Sequence, residues 1–185
     1  MEYQKNMTKA SKAFEQSIND AQELLERFDE ENSHPSDKNA ESLKRAGMVL
    51  ALGAWETYVK DRIKEEFEIY LKALEGSPAG RFVQKKLEID LKRFYNPNSD
   101  RTKLLFKDYF EVDVTQGWAW NNYDIPLAKR TLNAIVSKRG DAAHQANTSS
   151  NPSSTPHLVK RDELEKSIRF LKGLVEATDK IKMVK

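Results

Sequence analysis

Apolar residues recur along this chain at helical spacing. From Thr8 to Glu31, Phe14, Ile18, Ala21, Leu25 and Phe28 follow one another at intervals of three and four, which predicts an amphipathic first helix. The stretch "NSHPSDKN" interrupts the pattern, with Pro35 as a stop and Ser36 or Asp37 as the cap of a second helix, roughly Lys38 to Leu74. The middle of that helix, "AGMVLALGAW", carries no charge on any side and so predicts a buried central rod. "EGSPAG" ends it. Arg81 to Phe94 forms a third helix, with Phe82, Val83, Leu87 and Leu91 on its apolar stripe. "YNPNSD" is a turn, and Ser99 caps a short helix, "DRTKLLFKDYF". The segment "EVDVTQGWAWNNYDIP" has no clear period, which suggests an ordered loop held by its aromatics. Pro126 suits the first turn of a further helix running to about Arg139. "QANTSSNPSSTP" predicts an exposed, mobile polar loop over 145–157. A last helix, Lys160 to Ile181, faces Leu164, Ile168, Leu171, Val175 and Thr178 inward. No repeat and no β-alternating run stands out, so the expected fold is an all-α bundle, one domain over residues 1–185.

Composition agrees with that class. Charged residues make up 32% and hydrophobic ones 38%, with 7 glycines and 6 prolines, as in helices that coat one face with charge. The absence of cysteine excludes disulfides and thiolate chemistry and fits a cytoplasmic location. The opening "MEYQKNMTKASKAFEQ" lacks the apolar stretch of a signal peptide, and the least polar run, Ala46 to Trp55, is too short to span a membrane. With 31 basic and 29 acidic residues the net charge is only +2, so contact with nucleic acid would need a focused site.

One such site is suggested by "VSKRGDAAHQ". Ala128, Leu132 and Ile135 form the inward stripe of their helix, and four residues on comes Arg139, which continues that stripe instead of joining Lys129, Arg130 and Lys138 toward solvent. A guanidinium aimed inward is costly to desolvate unless it finds an anion. Gly140 lets the backbone leave the helix, and His144 lies just beyond. On the central helix Glu56 shares a face with Leu52, Val59 and Ile63, and its expected partner is Arg139 or His144, with a solvated pair to Lys60 as the plain alternative. The Arg–His spacing alone arises by chance about once in every two chains of this composition. Spacing alone favours the plainer reading, in which Arg139 caps helix carbonyls while His144 sits in a surface loop.

The phrase "LNAIVSKRGDAAHQ" resembles the signature of the HEPN superfamily, in which a helix ends in Arg and His follows after four to six residues. Upstream, "LALGAWETYVKDRI" looks like the central helix of the RiboL-PSP-HEPN branch, with its Ala-Trp-Glu phrase, and "RFYNPNSDRTKLLFKDYFEVD" is similar to the Asn-Pro turn and short helix of that branch. The three phrases occur in the same order and span about Leu50 to His144. One position departs from the pattern: HEPN nucleases often carry Asn, Asp or His directly after the arginine, where this chain has Gly140, with Asp141 one later.

The resemblance implies a HEPN-like up-and-down bundle with extra helices. It also implies a metal-independent endoribonuclease, without cofactor, in which the RNA 2′-hydroxyl attacks the adjacent phosphate. In that reading His144 handles protons, Arg139 holds phosphate oxygens, and Glu56 and Asp141 position them. One motif supplies one histidine, so the family likeness implies a homodimer with two sets in a shared cleft. A growth-inhibiting toxin or defence effector, with an antitoxin protein as possible partner, is the expected role. Lys138, Arg130, Trp118 and Trp120 are candidate RNA contacts, although aromatics such as Trp118, Trp120 and Tyr123 more often pin a loop to the core. Asp141, His144 and His157 complete no recognised metal-ligand spacing. A catalytically silent HEPN module that binds RNA or a partner protein, and a helical interaction protein without nucleic-acid role, are the competing readings.

Overall fold

The computed structural model describes residues 7–31, 41–144 and 159–183, with the side chains of residues 41 and 140–144 left out. Among the described residues six α-helices follow in order: α1 (Lys9–Glu31), α2 (Glu41–Ala73), α3 (Pro78–Arg93), α4 (Ser99–Phe110), α5 (Ile125–His144) and α6 (Arg161–Asp179). A 3-10 turn, Val114–Gly117, lies between α4 and α5, and among the described residues there is no strand, only an isolated bridge between Trp120 and Tyr123. The expected stop at Pro35, the caps at Ser36 or Asp37 and the polar loop 145–157 fall outside the described residues.

The start of α1 meets the second half of α2, where Glu65 accepts from the backbone N–H groups of Lys9 and Ala10, each at 3.0 Å. Asp29, near the end of α1, meets Arg161 at the start of α6 at 2.8 Å. The helices therefore alternate up and down, and α2 runs through the middle. Phe14, Ile18, Ala21 and Leu25 of α1 and Leu164, Ile168, Leu171 and Val175 of α6 are buried as their spacing predicts. They close over Met48, Leu52, Trp55, Val59 and Ile63 of α2.

The charge-free middle of α2 is not buried all round. Ala46 is exposed and Leu50 is 41% exposed, because α1, α5 and α6 cover the other sides of the rod and no described element covers this one. The α3 stripe also needs correction: Leu87 and Leu91 are buried, but Phe82 is 71% exposed, since only the second half of that helix reaches the core. Asn98, and not Ser99, caps α4, its side chain accepting from Arg101 N–H at 2.9 Å. Gly76 takes a left-handed φ of 77° at the turn between α2 and α3, where a side chain would be strained.

One polar cluster is buried deliberately. Asp179, at the end of α6, accepts from Tyr58 O–H at 2.7 Å and from Thr8 O–H at 3.0 Å, and Ser11 also donates to it. The buried Arg62 pairs with Glu66 and lies 3.4 Å from Asp179 through Nε, within ion-pair distance but without hydrogen-bond geometry. Thr8 in turn caps α1, accepting from Ser11 N–H at 3.1 Å. The beginning of α1, the middle of α2 and the end of α6 are thus held to one carboxylate.

Candidate functional site

The geometry at Arg139 starts from α5. Asp124 accepts from Leu127 N–H at 2.7 Å and opens the helix, with Pro126 in its first turn, where a missing N–H costs nothing. Ala128, Leu132 and Ile135 are buried against α2, and the next residue on that stripe is Arg139, whose side chain is 32% exposed. Its Nη1 lies 3.4 Å from Glu56 Oε2 and donates, also at 3.4 Å, to the carbonyl of Tyr95. Glu56, 16% exposed, takes a shorter bond of 2.6 Å from Lys60 Nζ one turn along α2. Glu56 therefore answers both sequence readings at once: it is shared between the arginine and the lysine. Among the described residues only Nη1 of Arg139 is engaged, which leaves the remaining edge of the guanidinium for another anion.

Tyr95 was not foreseen. It contributes a backbone carbonyl, which no side-chain pattern advertises, from the turn between α3 and α4. That turn is fixed by Trp55, whose indole N–H donates to Pro97 carbonyl at 3.0 Å, and by Asn133 of α5, which accepts from Ser99 N–H at 2.9 Å. Trp55 thus holds that turn directly, while its neighbour Glu56 holds the Arg139 that donates to it.

Gly140 does not end the helix. The backbone continues in helical form through Gly140 and Asp141 to His144. A glycine inside a helix costs about 1 kcal/mol relative to alanine, and beyond Asp141 come Ala142 and Ala143, alanine being the strongest helix former. The helical turn that would bring positions 141 and 144 to one face is present, but the side chains of Asp141 and His144 lie outside the described residues. So do those of His34 and His157. On a continuous helix, positions 139 and 144 are offset by about 140° around the axis and about 7.5 Å along it.

The proposed RNA contacts separate. Trp118 is fully buried, donates to Thr178 Oγ1 at 3.0 Å and meets Trp55 edge to face at 6.1 Å, so it pins the loop and cannot stack on a base. Trp120 is half-buried and stacked on Tyr123 at 4.9 Å. Lys138 does not simply face solvent: its Nζ is 2.7 Å from Glu163 Oε1 of α6, and this bond, ahead of burial, which acts the other way, and of the Lys160 N–H, holds the Glu163 carboxyl below its ordinary range. Arg130 is exposed. Among the described residues no three His, Asp or Glu side chains gather as a metal site, and no helix is long and apolar enough to cross a membrane.

The model of one protein family, RiboL-PSP-HEPN, matches residues 14–182, from the first buried phenylalanine to just past α6. The chain belongs to the RiboL-PSP-HEPN family. Neither the curated proteins nor the solved structures compared with it give a match. The match covers the α5 phrase with Arg139 and His144, the α2 phrase with Trp55 and Glu56, and the turn that offers the Tyr95 carbonyl. In this RiboL-PSP-HEPN chain those three segments are adjacent in space at Arg139, although they are far apart in sequence.

Proposed function

We propose that this RiboL-PSP-HEPN protein is a metal-independent endoribonuclease acting as a toxin or defence effector in the cytoplasm, with its active site shared across a homodimer. The observation that carries the reading is Arg139, held at the end of the apolar stripe of α5 by Glu56 and the Tyr95 carbonyl, among the described residues through Nη1 alone. A guanidinium fixed along one edge and open along the other suits paired hydrogen bonds to phosphate oxygens.

In the proposed reaction a histidine takes the proton of the RNA 2′-hydroxyl, the freed oxygen attacks the neighbouring phosphorus, and the P–O5′ bond breaks. A second proton donor protonates the leaving 5′-oxygen, and the products are a 2′,3′-cyclic phosphate and a 5′-hydroxyl. Arg139 stabilises charge on the crowded phosphate. His144 supplies one imidazole per chain, so the second is assigned to a partner copy. The side of α2 that no described element covers, with Ala46, Leu50 and Gly53 near Glu56, is the face assigned to that second copy; among the described residues a Cβ on Gly53 would meet nothing within 4 Å. Asp141 is assigned to positioning His144, and Arg130 and Lys138 to the flanking RNA backbone.

The test is cleavage of single-stranded RNA by purified protein with EDTA present, with the ends of the products identified. Loss of cutting in both Arg139→Ala and His144→Ala supports the reading; RNA left intact by wild-type protein refutes it. The second reading, a silent HEPN module binding RNA or a partner protein such as an antitoxin, is favoured by Gly140, which stands where a polar residue is often found after the arginine. It predicts RNA retention without cutting, unchanged by His144→Ala.

A further inference from the structure

A cleft of about 720 Å³ opens between the loop 118–124, the first turns of α5 and the middle of α6, away from Glu56. Its wall is aromatic. Trp120 and Tyr123 stack at 4.9 Å, and each packs on the buried Phe170, at 5.5 and 5.1 Å. The pair is held rigidly: Trp120 and Tyr123 exchange backbone hydrogen bonds of 3.0 and 2.7 Å around Asn121, whose φ is 43°. Below it α6 has Gly173, where a Cβ would come within 2.3 Å of the Trp120 indole nitrogen, so the ring lies flush on the helix backbone. Both rings stay half-exposed, an arrangement that burial of a loop alone does not require.

The rim is cationic. Lys166, Arg169 and Lys172 line the cleft against one carboxylate, Glu176; Arg169 also shares an exposed ion pair of 3.3 Å with Glu165. Asn121 and Asn122 are exposed at the mouth with amide donors and acceptors. Rigid aromatic faces, backbone-binding cations and amides together match the chemistry of an unpaired base with its phosphates. An acidic peptide would use the cations and leave the rings unused.

We infer that this cleft binds single-stranded RNA, seating an unpaired base against Tyr123 and Trp120 while Lys166, Arg169 and Lys172 hold the adjoining phosphates. Thr131 lines the cleft, and Arg139 lies about 12 Å further along the same helix, so a strand anchored here runs toward the proposed cleavage site. The inference rests on the RNA reading and narrows its substrate to unpaired strands.

The experiment measures binding apart from cutting. A fluorescein-labelled 2′-O-methyl oligoadenylate of about 12 nucleotides lacks the nucleophile and stays intact, and its anisotropy is followed against protein concentration at several salt concentrations. Tyr123→Ala is expected to weaken binding by roughly 5- to 100-fold, and Tyr123→Phe to leave it nearly unchanged. Lys166→Glu combined with Lys172→Glu, at one exposed and one half-buried position, should weaken binding and lower the salt slope by about 1.4. Wild-type affinity in both the alanine and the charge-reversed proteins overturns the inference, as does absence of binding by the wild type at low salt. Competition by polyglutamate as effective as by unlabelled RNA also overturns it, since the rings would then play no part. Binding that depends on Tyr123 in a protein that cuts no RNA would sink the nuclease reading and leave the cleft standing.

Discussion

Asp113 offers a quantitative handle on how the aromatic loop is held. Its carboxylate accepts from Thr115 N–H at 3.1 Å, Thr115 O–H at 2.6 Å and Gln116 Nε2 at 3.3 Å, and pairs with Lys103 Nζ at 2.8 Å. Partial burial pushes its pKa up, but the bonds from Lys103, Thr115 and Gln116 outweigh that and bring it from 3.8 down to about 2. A depressed carboxyl pKa stabilises the fold above the unfolded value near 3.8, and that stability fades as pH falls through about 2. A shift of this size corresponds to about 2 kcal/mol, and to about 1 kcal/mol once solvent screening of the Lys103 pair is allowed for. Asp113→Asn keeps the shape and removes the charge, so it should cost about 1–2 kcal/mol at neutral pH. For a chain of this length that is a fall in Tm of roughly 2–8 °C. Chemical unfolding followed by circular dichroism gives the gap between wild type and Asp113→Asn at each pH. The gap should shrink to roughly half its neutral value near pH 3, where the carboxyl of the unfolded chain is already mostly protonated while the folded one is still mostly ionised. An identical gap at both pH values would refute the electrostatic account and assign the loss to hydrogen-bond shape alone.

Other perturbations reach other links of the chain. Arg139→Ala should lower RNA cleavage by about 10²–10³-fold, and Arg139→Lys should recover only part of it, because an ammonium cannot present paired donors; single-turnover cleavage assays measure both. Leu50→Glu places a charge on the uncovered face of α2, so it should yield a monomer in analytical ultracentrifugation and abolish cutting while helicity is retained. Asp179→Ala takes away the shared acceptor of Thr8, Ser11 and Tyr58 and one of the two carboxylates beside Arg62, which keeps Glu66, so urea titration should show a loss of about 2–3 kcal/mol; a loss under about 1 kcal/mol would show that water replaces the carboxylate.

Where the sequence could be read, the reason was periodicity. The faces of α1 and α6 follow from apolar spacing because each turns one side to the core around α2 and the other to solvent, so the apolar positions mark the buried side. The same logic fails at Leu50 and Phe82: an apolar residue states what it tolerates, and only the arrangement of neighbours decides whether anything covers it. Gly140 was misread as a stop because glycine marks helix ends when no strong helix formers follow, whereas here Ala142 and Ala143 carry the helix on. Glu56 was legible as a partner for Arg139 because a carboxylate beside a charge-free run needs a cation. The Tyr95 carbonyl was not, since backbone acceptors leave no trace in side-chain patterns. Trp118 and Trp120 stand two apart in an aperiodic loop, and nothing local tells the buried one from the half-exposed one; that choice is made by Thr178 and Gly173 on α6.

The edge-to-face contact of Trp55 and Trp118 also gives the protein a built-in optical gauge. Both indoles are sealed from solvent and fixed by their N–H groups, while Trp120, the remaining tryptophan, borders open water. A small neutral quencher such as acrylamide should therefore extinguish the emission of a single ring and spare the coupled pair. Loosening of the turn beside Arg139 would register as a second, newly reachable emitter before the backbone signal changes.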